Sequence, residues 1–265
     1  MSLLVCPPDY YRIDYEINPW MHRDNAVDHD RAVRQWNGLM DALESQVQVK
    51  LERMNPVRGL PDLVFTANAG VVFDGAAVPS RFRHPERQRE QTHFEAWFTE
   101  HGYQLRMLEE GVYFEGAGDL LGVPDLWLGG YRKRSDVGAY TQISQLIGRE
   151  IIPVELVDDR FYHLDTCFCP LSGGEVLYYP HAFDGYARAV IAERLDESRR
   201  LAVPREEAFR FACNAVCVNE KVVLPAGCPG TMRLLLEKGY QPIALELDEF
   251  MKAGGSAKCL TLALQ

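Results

Sequence analysis

Cys259 follows AGGSAK and precedes the alternating run LTLAL. That places its thiol on a flexible turn or at the start of a terminal strand, free to face an axis or a pocket. A thiolate there is a nucleophile that needs a proton acceptor. His163 opens HLDTCFC. Side chains alternate along a strand, so His163 and Asp165 are expected on one face, an imidazole beside an orienting carboxylate and suited to general acid/base work. Free cysteines are usually small buried hydrophobes, so the pairing with His163 is what singles out Cys259. Zinc held by His163, Cys167 and Cys169 is disfavoured, because one strand does not wrap a tetrahedral ion.

Glu115 and Asp119 bracket the glycines of FEGAGD, a turn whose backbone can approach a ligand closely and whose carboxylates suit a guanidinium. Asn68 in FTANAG and Asn18 in INPWM offer amides that donate and accept, although asparagines also form turns without further purpose. Arg87 in RHPERQ, and Arg132 and Arg134 in GGYRKRS, could each clamp a carboxylate with a planar fork; exposed solubilising charge is the ordinary alternative for any one of them.

These residues are scattered, so something must gather them. Phe65, Phe114, His163 and Ala212 follow one another at intervals of 49 residues, and a fifth unit would begin near residues 258–261. Each unit reads as a strand, a small-residue turn, a second strand, a helix and a closing strand such as YQLRML or IIPVEL. Helices are expected over residues 28–43, 85–100, 139–147, 184–195 and 230–238. Radial repetition of such a unit makes a ring in which equivalent positions meet at the centre. Phe65, Asn68, Glu115, Asp119, His163, Asp165, Asn214 and Cys259 would then converge. No Gly/Ser linker interrupts the pattern, which predicts an α/β fold of one domain over residues 1–265, with residues 80–90 and Gly254–Gly255 as its most mobile parts.

The chain has 265 residues, 47% hydrophobic and 25% charged, enough to bury a core without disulfides or metals. Apolar runs are strand-sized, so no membrane span is expected, and MSLLVCPP does not read as a secretory leader. The expected location is cytoplasmic. Seven cysteines in no paired zinc spacing are expected to be reduced thiols. A net charge of −10 repels phosphate backbones and attracts small cations, which disfavours a nucleic-acid partner. Homo-oligomers are compatible with the composition.

The constellation resembles the guanidino-group modifying enzymes of the pentein fold, the five-bladed α/β propeller of pseudo-repeated ββαβ units. These include arginine deiminases, dimethylarginine dimethylaminohydrolases, amidinotransferases and arginine dihydrolases. The likeness covers nearly the whole chain and rests on Cys259 near the carboxyl end, the His163-x-Asp165 pair and the Glu115/Gly/Asp119 turn. INPWM, PDLVFTANAG and GGYRKRS look most like the arginine dihydrolases, with Asn68 where citrulline-forming relatives often keep an aspartate. Such enzymes sometimes carry a further carboxyl-terminal domain, and this chain ends six residues after Cys259.

The resemblance implies cysteine-dependent hydrolysis of arginine through a covalent thiouronium, without metal or organic cofactor. Cys259, His163, Glu115, Asp165 and Asn68 would be catalytic, and Asn18, Phe65, Arg87, Asp119, Arg132, Arg134 and Asn214 would bind substrate. The alternatives are a dimethylargininase or deiminase that stops at citrulline, an amidinotransferase, and a non-catalytic pentein binding protein.

Overall fold

In the hairpin Val72-Phe73-Asp74-Gly75-Ala76, Asp74 and Gly75 both take positive φ (47° and 74°), the backbone twist a two-residue β-turn needs. Similar local signals punctuate the chain. Asp28 caps the helix His29–Asp41 by accepting from the Arg31 amide at 3.0 Å. Asp184 caps Gly185–Arg194 through the Ala187 amide at 2.8 Å, and left-handed Gly148 closes Val137–Ile147. The expected helix over residues 85–100 is divided into Pro85–Gln88 and Gln91–Glu100, because the Arg87 and Glu90 side chains turn inward there.

The computed structural model describes residues 1–264. Strands β1 (Ser2–Val5) and β2 (Lys50–Arg53) pair in parallel. Each later unit makes its own three-stranded sheet: β3 (Gly70–Phe73), β4 (Ala76–Pro79) and β5 (Gln104–Leu105); β6 (Leu120–Val123), β7 (Leu126–Tyr131) and β8 (Ile152–Glu155). The next two are β9 (Phe168–Pro170), β10 (Val176–Tyr178) and β11 (Arg200–Ala202), then β12 (Val216–Val218), β13 (Lys221–Pro225) and β14 (Gln241–Leu245). In every one the middle strand pairs antiparallel with the first and parallel with the third.

The last strand, β15 (Leu262–Leu264), pairs antiparallel with β1, Leu3 opposite Ala263. The fifth sheet is therefore assembled from both chain ends, which closes the ring and leaves five sheets of three strands, the pentein architecture. The inner segments differ from expectation. The stretch around Asp165, read as strand, is a short 3₁₀ turn (Leu164–Thr166); similar turns (Pro61–Val64, Thr66–Ala69 and Gly116–Gly118) precede the first strands of their blades, the last two where turns were expected. A tight turn presents consecutive side chains in different directions, whereas a strand alternates between two faces. Among the described residues no helix is long and apolar enough to cross a membrane.

Candidate active site

His163 lies just before the turn Leu164–Thr166, and its ring is buried. Its Nε2 stands 2.7 Å from Glu115 Oε2, contributed by the preceding unit. Burial would push the Glu115 carboxyl up. The Arg134 guanidinium, 3.0 Å from the same oxygen, and the imidazole instead hold it well below the usual carboxylate range. An ionised carboxylate only accepts, which assigns the Nε2–H tautomer and leaves Nδ1 with the lone pair. Burial lowers the imidazole pKa to about 4 against the pull of Glu115, so the resting ring is neutral.

Glu115 is held from behind. Its amide donates to Ser135 Oγ at 3.0 Å, and that hydroxyl donates to Asp119 Oδ2 at 2.6 Å. The other Asp119 oxygen accepts from the Leu164 amide at 3.0 Å. The structure thus makes Asp119 a strut between the Glu115 and His163 turns and takes it out of substrate contact.

Cys259 sits at the carboxyl-terminal turn with Asn214 wrapped around it. The Asn214 Nδ2 donates to Sγ at 3.1 Å, and its Oδ1 accepts from the Ser256 and Cys259 amides at 2.9 and 3.1 Å. Asn214 therefore holds the Cys259 loop, and neither it nor His163 is among the residues that line the cavity into which Cys259 opens. Asp165 Oδ2 lies 3.4 Å from Sγ. The expected partnership of Asp165 with His163 is accordingly corrected: the 3₁₀ turn sends Asp165 to the sulfur, and the carboxylate that orients the imidazole is Glu115. Burial pushes Asp165 up to about 6 and, together with the nearby carboxyl, raises the Cys259 thiol well above its ordinary value.

The narrow cavity at Cys259 is lined also by Asn18, Asp62, Phe65, Asn68, Arg87, Arg134 and Tyr162. Asn68 is clamped there, its Nδ2 donating to the Glu115 carbonyl at 2.9 Å and its Oδ1 accepting from Arg87 at 3.0 Å. Gly118 is obligatory beside it: a Cβ at that position would stand 2.3 Å from Asn68 Nδ2, and 3.5 Å from His163 Nδ1. Asn18 uses both ends of its amide to tie Ala253 to Trp20, so it contributes shape.

The arginines separate by their unused donors. Arg87 grips Glu90 with two bonds (3.0 and 2.7 Å) and also donates to Asn68 and the Asp62 carbonyl, which leaves one of five N–H groups. Arg134 donates only to Glu115 and the Ile17 carbonyl and packs over the Tyr162 ring at 4.7 Å, which leaves three. Arg132 is exposed and paired with Glu155, outside the cavity. In a tight turn, residues two apart such as 132 and 134 need not share a destination.

Sequence reasoning overlooked Asp62 and Tyr162. Asp62 is buried and lines the cavity, its carboxyl beside the Tyr15 hydroxyl and 3.9 Å from Arg87 Nε. Burial raises its carboxyl. A buried carboxyl beside Cys259 is a position where a cation would bind. The signal was present in PDLVF, where Pro61 opens a turn that points Asp62 inward. The stretch 80–90, expected to be mobile, holds buried Arg87 and Glu90. Among the described residues no group of three His, Cys, Asp or Glu side chains is placed to hold a metal ion.

Ring and site together define a pentein of the guanidino-group modifying kind. The family model described as N,N dimethylarginine dimethylhydrolase, eukaryotic, matches residues 12–265, and the chain belongs to that family. It is 45% identical over 265 residues to the bifunctional arginine dihydrolase/ornithine cyclodeaminase ArgZ of Synechocystis sp., covering 99% of this chain and 37% of that protein. The chain thus spans little more than a third of that relative's length. It is 37% identical over 260 residues to the N(G),N(G)-dimethylarginine dimethylaminohydrolase of Mycobacterium tuberculosis, covering 98% of this chain and 84% of that one. The crystal structure of the N-terminal domain of ArgZ, in a variant covalently bound to a reaction intermediate, superposes with a TM-score of 0.95 at 43% identity, covering 98% of this chain and 96% of that domain.

Proposed function

We propose that this chain hydrolyses the guanidino group of free arginine to ornithine, carbon dioxide and two ammonia molecules, with Cys259 as nucleophile. The observation that supports it best is the amide of Asn68, locked at the wall of the Cys259 cavity between Arg87 and the Glu115 carbonyl. A carboxylate there would grip a guanidinium and release a neutral ureido group, whereas an amide discriminates less and lets the ureido intermediate stay for a second attack. The ArgZ relative is named an arginine dihydrolase, and its N-terminal domain has been crystallised bound to substrate and to product.

In the resting protein both the thiol and the imidazole are neutral. A bound guanidinium, facing the Asp62 carboxyl at the cavity wall, brings the positive charge that favours the thiolate. The sulfur adds to the guanidinium carbon, and the proton reaches departing ammonia by way of His163, leaving a thiouronium. Water deprotonated by His163 then displaces the sulfur, and repetition on the ureido group frees the second ammonia and a carbamate that loses carbon dioxide. Arg134, with three free donors, anchors the substrate carboxylate. The working unit is a single catalytic domain, cytoplasmic and open to homo-oligomer formation.

Counting ammonia released per arginine consumed tests this reading. Two per arginine with ornithine as product is the expected result; one per arginine with citrulline overturns it. The family model favours methylated arginine as a second reading, so dimethylarginine belongs in the same assay, where release of dimethylamine and citrulline would select it.

A further inference from the structure

A second cavity lies behind the nucleophile. Its volume is about 170 Å³, and Leu3, Leu121, Phe168 and Val216 give it apolar walls, with exposed Ala263 at its edge. Among the described residues none lines both cavities: Lys258 and Cys259, consecutive in the chain, belong to different ones.

Lys258, half-buried, is the side-chain cation of this chamber, which Met1 also lines. Its ammonium donates to the Thr261 carbonyl at 3.3 Å, one of three donors, and no carboxylate among the described residues lies within ion-pair distance of it. Asp165, Cys259 and Cys169 are the titratable groups that face it, and Asp165 Oδ1 is itself without a partner. An ammonium with two of three donors unspent in a mainly apolar chamber fits a ligand with one negative charge and an apolar tail. A dianionic phosphate would leave one charge uncompensated close to Asp165.

We propose that the cavity behind Cys259 is a regulatory site for a small amphipathic monocarboxylate, held by Lys258 and felt at the nucleophile through Asp165. The positive charge of Lys258 favours both the Asp165 carboxylate and the Cys259 thiolate. A ligand carboxylate on Lys258 cancels that charge from the far side, so the thiolate becomes harder to form and turnover falls. Binding is independent of the reaction assigned above, while the regulatory half rests on Cys259 being its nucleophile.

The test is calorimetric titration of the full chain with hexanoate, using 1-hexanol and hexylamine as controls, alongside arginine turnover. Hexanoate is expected to bind at least about tenfold more tightly than hexanol. Lys258→Met should erase that preference. Ala263→Trp, an exposed position at the cavity's edge, should abolish binding of both and leave basal turnover unchanged. Saturating hexanoate should lower turnover about fivefold without raising KM for arginine. Equal affinity for hexanol and hexanoate, or undiminished binding in Ala263→Trp, overturns the site. Binding with unchanged turnover overturns its regulatory role. A ligand-free protein inactive on arginine refutes the function proposed above and leaves the binding arms to decide this site.

Discussion

Glu115 and Asp165 are carboxylates on successive inner turns of the ring, both fully buried, and burial ends differently for them. Glu115 touches a guanidinium at 3.0 Å and an imidazole N–H at 2.7 Å and stays ionised. Asp165 touches a thiol at 3.4 Å, its nearest cation is beyond ion-pair reach, and it is pushed up to about 6. Depth is the same in both halves of the site; what sets the charge is whether a cation is in contact. The half that holds the imidazole is compensated in advance, and the half that holds the sulfur is left to be compensated by what enters the cavity.

The largest effect should come from removing the uncompensated half's reactive atom. Cys259→Ala is expected to lower turnover on the order of 10³-fold or more with the fold intact, read by ammonia release and by loss of any covalent adduct in mass spectrometry. Residual turnover within tenfold of the parent would move the chemistry elsewhere.

Next is the compensated half. Glu115→Gln strands the buried Arg134 guanidinium and should cost about 3–5 kcal/mol in chemical denaturation, with turnover down about 10²-fold. Asp165→Asn, by contrast, should cost much less stability, because its site already favours a neutral group. If the two substitutions prove equally destabilising, the contrast between the halves is wrong.

The pH dependence of stability sharpens the same contrast, with opposite signs. His163 is lowered from 6.5 to about 4, so its contribution is complete above pH 6.5 and is lost as pH falls through 4. Asp165 is raised from 3.8 to about 6, so its contribution is complete below pH 3.8 and is lost as pH rises through 6. The His163 ring should show no protonation by NMR between pH 6 and 8, and Asp165→Asn should remove the loss on passing from pH 4 to 7. Smallest is Arg132→Ala: an exposed arginine outside the cavity should leave kcat/KM within about twofold, as surface ion pairs contribute little.

Much of this was legible in the residues. The interval of 49 between Phe65, Phe114, His163 and Ala212 foretold the ring, because a repeated unit that cannot bury its faces alone must stack against its neighbours. The helices fell close to their expected ranges because apolar spacing and caps at Asp28, Asp184 and Gly148 are local properties. Misreadings came where a strand was expected and a 3₁₀ turn was found. On a strand His163 and Asp165 would share a face; on the turn they part, one toward Glu115 and the other toward Cys259.

Residue types and spacing alone therefore determined most of the side chains that gather at the centre of the ring, though not Asp62 or Tyr162, since periodicity and turn chemistry are written in consecutive residues. Tertiary structure decided which of them touch and which are charged. The partner of the imidazole lies 48 positions away and that of the sulfur 94, and only the closed ring sets whether a buried carboxyl meets a guanidinium or a thiol.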